Sequence, residues 1–148
     1  MSRASRGGSS AVCAIGEAAR DVYREMLGPA KPIYNIPYFC DLRPFASHPR
    51  PEDGRVVALF SGQFIERKGL DVLLDAFRQV ADECPDLELL LLGGNDDSEF
   101  LADLPAALRN RIRVAGFLQS DELPRAYAGA DIFVLPSRHD GWGVVVNE

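Results

Sequence analysis

With 148 residues, 47% of them hydrophobic and 26% charged, the chain suffices for about one globular domain with a sizeable core. Its net charge of -6 argues against a general nucleic-acid binder, whose footprint is a basic face, but leaves room for a small basic site for an anionic ligand. No run approaches the roughly 18 apolar residues of a membrane span, and Cys13, Cys40 and Cys84, odd in number and never in a C-x-x-C, read as reduced thiols of a cytoplasmic protein.

In chain order, "MSRASRGGSS" is basic and rich in Ser and Gly, and no apolar h-region of signal-peptide type follows it. Residues 1–10 read as a disordered leader. "AVCAI" reads as a short buried strand. "GEAARDVYREMLG" reads as a helix, because Ala19, Val22, Tyr23, Met26 and Leu27 recur at helical spacing and Gly28-Pro29 stops the run. "KPIYNIPYF" is a second short extended segment. Residues 41–54, "DLRPFASHPRPEDG", hold three prolines and no periodicity, which marks a linker.

From residue 55 the texture becomes a regular alternation. "RVVALFSG" is a continuous apolar run, as a strand buried on both faces requires. In "LDVLLDAFRQVADEC", Leu70, Leu73, Leu74, Phe77, Val80 and Ala81 share one helical face. "LELLLLGG" is the next strand, and "SEFLADLPAALRN" is helical with an interruption at Pro105. "RIRVAGF" is a strand, "SDELPRAYAGA" a short helix and "DIFVLPS" a strand. Four strands separated by helices predict an α/β fold, a Rossmann-like doubly wound parallel sheet. Such sheets bind ligands beyond the carboxyl ends of their strands, so the residues after each strand are the candidates.

After the first of these strands, Gly62 permits a sharp turn, and Arg67 and Lys68 stand together just before a helix beginning at Gly69, Leu70 and Asp71. Two cations with the free N–H groups of a helix N-terminus make an anion trap, suited to phosphate. A solvated "ERKG" turn explains the same charges. After the second strand, "GGNDDSEF" holds only the adjacent Gly93 and Gly94 and is not G-x-G-x-x-G, so the dinucleotide fingerprint fails. Asp96, Asp97 and Glu99 could be read as a metal cluster, but Ser98 or Asp97 as an N-cap with Glu99 in the first turn accounts for them more simply. After the third strand, Phe117 and Leu118 form an apolar lip, either for a flat base or for packing the next helix. After the fourth, Gly141 and Gly143 flank Trp142, and Asp140 and Glu148 stand in a D-x7-E spacing. Carboxylates so placed accept hydrogen bonds from paired sugar hydroxyls; favouring a helix dipole is the plainer alternative. His139 has no nucleophile or paired acid at a recognisable spacing, and His48 carries no signal.

Together, "FSGQFIERKGLDVLLDAF", "LELLLLGG", "RIRVAGFLQSDELPRAYAGADIFVLPS" and "HDGWGVVVNE" closely resemble the donor-binding half of retaining glycosyltransferases of the GT-B fold, family 4 of the glycosyltransferase group 1 superfamily. The resemblance covers residues 55–148, and residues 11–40 look like the end of the acceptor domain and the crossing segment. It implies that Gly62 lies against the donor phosphates and that Arg67 and Lys68 bind the diphosphate and stabilise it as it leaves. Gly141, Trp142 and Gly143 would hold phosphate and sugar, and Phe117 and Leu118 would lie near the base. Glu148 matches the second acid of the E-x7-E motif, which binds ribose. Asp140 stands at the first acid, the contact to the transferred sugar, where the family usually has Glu; Asp reaches about 1.5 Å less.

The resemblance further implies a metal-free transferase without a cofactor, whose substrate is a nucleotide-sugar such as a UDP- or GDP-sugar and whose acceptor is a glycan or lipid-linked sugar bound by a preceding domain. Peripheral membrane contact of a full enzyme is a further expectation. On this reading the chain is a fragment, incomplete at both ends and inactive in transfer, with weak nucleotide binding and an exposed apolar sheet edge. The alternative is a non-catalytic nucleotide-sugar-binding module.

Overall fold

The computed structural model describes residues 10–39, 41–50, 54–95 and 99–140. The chain divides into two compact units, Met1–Cys40 and Asp41–Glu148.

The first unit is a strand-helix-strand. Strand β1 (Val12–Ala14) pairs in parallel with β2 (Ile33–Asn35), and helix α1 (Glu17–Leu27) connects them. Gly28, in the left-handed region at φ 77°, ends α1 and donates its N–H to the Arg24 carbonyl. The apolar residues recur at helical spacing as the sequence predicts, but none of α1 is buried, and Val22, Met26 and Leu27 are exposed.

The second unit contains a four-stranded, all-parallel sheet in the order β5-β4-β3-β6. Its elements are β3 (Val56–Ser61), α2 (Leu70–Val80), β4 (Leu87–Leu92), α3 (Glu99–Ala102), α4 (Ala106–Arg109), β5 (Ile112–Gly116), α5 (Leu123–Ala128) and β6 (Ile132–Phe133). Alternation along β4 sends its leucines to two cores. Leu89 and Leu91 join Phe60, Leu70, Leu74, Phe77 and Leu101 on one face; Leu90 and Leu92 join Leu59 on the other, under Leu123, Ala126 and Tyr127 of α5. Helices cover both faces, and the predicted α/β architecture is the one observed.

The structure refines three sequence expectations. Val80 is 40% exposed although Leu70, Leu73, Leu74, Phe77 and Ala81 are buried. At 3.6 residues per turn it lies about 80° round the helix from Leu70, at the margin of the apolar stripe. Strand β6 is shorter than "DIFVLPS" suggests: its ladder continues only through the Val134 N–H to the Leu59 carbonyl at 2.8 Å, and Pro136 has no N–H to extend it. The supposed linker is not structureless. Phe45–Ser47 forms a 3-10 turn, Phe45 meets the Tyr127 ring edge-on at 5.6 Å, and Arg50 pairs with Asp131 at 2.6 Å. Proline spacing hid an anchor that a single aromatic residue supplies.

Candidate functional site

At the carboxyl end of β3 the chain does not leave the sheet at once. The Gly62 N–H donates to the Leu92 carbonyl at 3.0 Å, continuing the ladder by one residue. Gly93, at φ 96°, lies so close to Gly62 that a Cβ there would sit 2.6 Å from the Gly62 carbonyl oxygen. The next residues fold back over the core through Phe64, whose ring lies 6.1 Å from that of Phe60.

Glu66–Lys68 then makes one 3-10 turn, placing both Arg67 and Lys68 immediately ahead of α2. Gly69 joins turn to helix in the left-handed region at φ 68°, and a Cβ on it would collide with the Pro136 carbonyl. The two segments are therefore in backbone contact. The Arg138 N–H donates to the Arg67 carbonyl and Arg67 Nη1 donates to the His139 carbonyl, each at 2.9 Å. Arg138 also reaches across: Nη1 donates to the Glu66 carbonyl and to Asp71 Oδ1, both at 2.7 Å, and Nη2 to Asp71 Oδ2 at 2.5 Å.

This stitching brings Lys68 to Asp140. The ammonium donates to Oδ2 at 2.5 Å, with the side chains 15% and 20% exposed, and Ser137 Oγ lies 3.3 Å from the same oxygen. An ion pair this sheltered is screened less than a surface pair, and its partners are correspondingly more responsive to a third charge. The Arg138 fork holds the Asp71 carboxyl well below its ordinary 3.8, at about 2, and the Arg138 guanidinium is in turn raised by Asp71. Among the described residues no group of three or more His, Cys, Asp or Glu is gathered in metal-ligating fashion.

Of the residues singled out from sequence, Gly62, Arg67, Lys68 and Asp140 come together here. Phe117 and Leu118 part company. Phe117 projects at 80% exposure, whereas Leu118 packs against the buried cluster of Leu59, Leu90 and Leu92. The packing role weighed for this pair thus falls to Leu118, and Phe117 is left for solvent or a ligand. Between them and α5, the Gln119 N–H donates to Glu122 Oε2 at 2.8 Å. Gly141, Trp142, Gly143 and Glu148 lie outside the described residues, as do Asp96 and Asp97. Sequence reading overlooked Arg138. It stood inside the quoted loop, but its partner Asp71 is 67 residues away and no spacing rule connects them.

Residues 55–148 match the family model described as "Glycosyl transferases group 1". The chain is 33% identical over 141 residues to the phosphatidyl-myo-inositol mannosyltransferase of Mycobacterium tuberculosis, covering 91% of this chain and 36% of that protein. It is 31% identical over 106 residues to the mannosylfructose-phosphate synthase of Agrobacterium fabrum, covering 65% of this chain and 23% of that protein. The chain thus spans about a third or less of these relatives. Among solved structures it resembles WaaG, a glycosyltransferase involved in lipopolysaccharide biosynthesis, with a TM-score of 0.73 at 14% identity, covering 95% of this chain and 42% of that one. It also resembles the pneumococcal O-GlcNAc transferase GtfA in complex with UDP and GlcNAc, with a TM-score of 0.70 at 17% identity, covering 93% and 27%. The fold is that of the GT-B glycosyltransferases, and the chain belongs to the glycosyl transferases group 1 family.

Proposed function

We propose that the chain is the donor-binding part of a retaining, metal-independent glycosyltransferase of family 4, and that it binds a nucleoside diphosphate sugar at the carboxyl edge of the second unit's sheet. One observation carries this reading: Arg67, Lys68 and Asp140, two cations and an acid from opposite ends of the unit, meet beyond the ends of β3 and β6. A diphosphate needs concentrated positive charge, and here two side chains supply it beside a helix N-terminus. The relatives' names, among them mannosyltransferases, and a structural neighbour solved with UDP and GlcNAc support the same ligand class.

In the complete enzyme Arg67 and Lys68 neutralise the charge that develops on the departing diphosphate, the electrostatic work that metal ions do in other transferases. Asp140 then faces the sugar being transferred, and Glu148 accepts from the ribose hydroxyls. Gly62, Gly141, Trp142 and Gly143 allow close backbone approach to phosphate and sugar. Phe117, with Leu118 packed behind it, offers its exposed ring to the base. An acceptor glycan or lipid-linked sugar is the other substrate. Among the described residues no helix is long and apolar enough to cross a membrane.

The test is saturation-transfer NMR of the purified chain against UDP, GDP, ADP and NAD. Transfer to one nucleoside diphosphate that is lost in Arg67→Ala supports the donor site and names its base. Transfer to NAD alone, or to a nucleotide indifferent to Arg67→Ala and Lys68→Ala, overturns it.

A further inference from the structure

Arg138 has no ligand role in that reading, yet it is tied to the cationic turn at several points. Its fork closes on both oxygens of Asp71 in the first turn of α2, and its Nη1 also takes the carbonyl of Glu66 at the start of the turn that carries Arg67 and Lys68. Its own backbone is bonded to Arg67 and lies two residues before Asp140. We propose that Arg138 is a positioning residue of the donor site, whose planar fork on Asp71 sets the separation of Lys68 from Asp140. The proposal rests on the donor-site reading for what the site binds, but not for how the site is held.

The Arg138 and Asp71 side chains are 42% and 40% exposed, and ion pairs so open to water add little to global stability. What a bidentate fork does supply is direction, because two parallel N–H donors fix the guanidinium plane against the carboxylate. Here that plane is rigidly related to the loop bearing Asp140, and the carboxylate to the helix that follows Lys68. A lysine at 138 keeps the charge but loses the plane.

The experiment uses the full chain and four variants: Arg138→Lys, Asp71→Asn, the exchange Asp71→Arg with Arg138→Asp, and Arg78→Ala. The last breaks the Arg78–Asp75 pair of the same helix and serves as control. Affinities for UDP, GDP and ADP are measured by NMR titration, together with the exchange rate of the Lys68 ammonium protons and the melting temperature. Arg138→Lys and Asp71→Asn are expected to weaken nucleotide binding about tenfold, as impairment of one charge-assisted contact does. They are also expected to speed ammonium exchange, while melting stays within a few degrees of the wild type, as it should in Arg78→Ala. The exchanged pair should recover affinity and protection together. Wild-type affinity and wild-type exchange in Arg138→Lys would overturn the proposal, as would losses that merely follow a lowered melting temperature. A wild-type chain that binds none of the three nucleotides refutes the donor-site reading instead. The ammonium exchange then decides the positioning role alone: it stands if Arg138→Lys accelerates exchange and falls if it does not.

Discussion

Lys68 and Asp140, 72 residues apart in sequence, share a hydrogen-bonded ion pair at 2.5 Å in which neither side chain is more than one-fifth exposed. The acid proposed to meet the sugar therefore occupies the ammonium proposed to meet the diphosphate. A bound diphosphate and Asp140 are competitors for one cation.

That competition predicts an unusual mutant. Asp140→Asn removes a rival anion and its repulsion of the ligand, so the bare nucleoside diphosphate should bind about two- to fivefold more tightly, the range that partly exposed charge pairs contribute. Discrimination between the nucleotide-sugar and the bare nucleotide should fall in the same variant. Isothermal titration with both ligands reads the two effects. A weaker diphosphate complex would show that Asp140 supports the anion site rather than competing with it.

Loss of either cation should act in the opposite direction. Lys68→Met, which keeps the aliphatic stem beside Gly62, should weaken nucleoside diphosphate binding about tenfold, as removal of one charge-assisted contact does. Arg67→Ala should do the same and also release the His139 carbonyl. The His139 carbonyl signal of the ligand-free protein should therefore shift in Arg67→Ala, whereas Lys68→Met should instead shift the Asp140 carboxyl signal.

The Asp71–Arg138 fork predicts a pH window. The folded-state carboxyl, at about 2, is depressed from its ordinary 3.8, so the contribution of the fork is fully present above about 4 and is lost as the pH falls toward 2. The stabilities of the wild-type chain and of Asp71→Asn should differ by a constant amount above about pH 4 and converge as the pH falls through that interval. Parallel curves from pH 5 to 2 would mean that the carboxyl is not held down by Arg138.

Two glycines with nearly the same backbone angle separate strain from collision. Gly54 lies at φ 76° with nothing within 4 Å of a built Cβ, whereas Gly69 lies at φ 68° against the Pro136 carbonyl. Gly54→Ala should cost about 1 kcal/mol from the left-handed backbone alone. Gly69→Ala should cost about 1–3 kcal/mol more, because it forces apart the turn and the loop after β6. Urea unfolding of both variants measures the difference, and equal losses would place the two segments further apart than described.

The sheet was legible because burial on both faces leaves an unmistakable record: "LELLLLGG" tolerates no polar residue between Leu89 and Leu92, and all four are buried. The face of α2 was legible for the same reason, except at Val80, where periodicity cannot say how wide the covered stripe is. The cations and Asp140 could be nominated because they follow strands. Their union could not be derived from spacing, since it depends on which strand lies beside β3, and sequence order alone would not have put β6 there. Arg138 and Phe45 were missed for a shared reason. Each acts through one distant partner, Asp71 and Tyr127 respectively, and a single long-range contact has no period.

The adjacency of β3 and β6 also orders events during folding. Pairing of β3 with β4 closes a loop of modest length, while the Val57 N–H must wait for the Asp131 carboxylate, 74 residues along the chain. Contacts of such separation carry the larger closure entropy and weigh most on the folding rate. Because Arg67 and Lys68 sit on one side of that seam and Asp140 on the other, the site is assembled by the same event that completes the sheet. A nucleotide that needs both sides would bind only the finished unit, and would stabilise it against unfolding by holding that long-range seam shut.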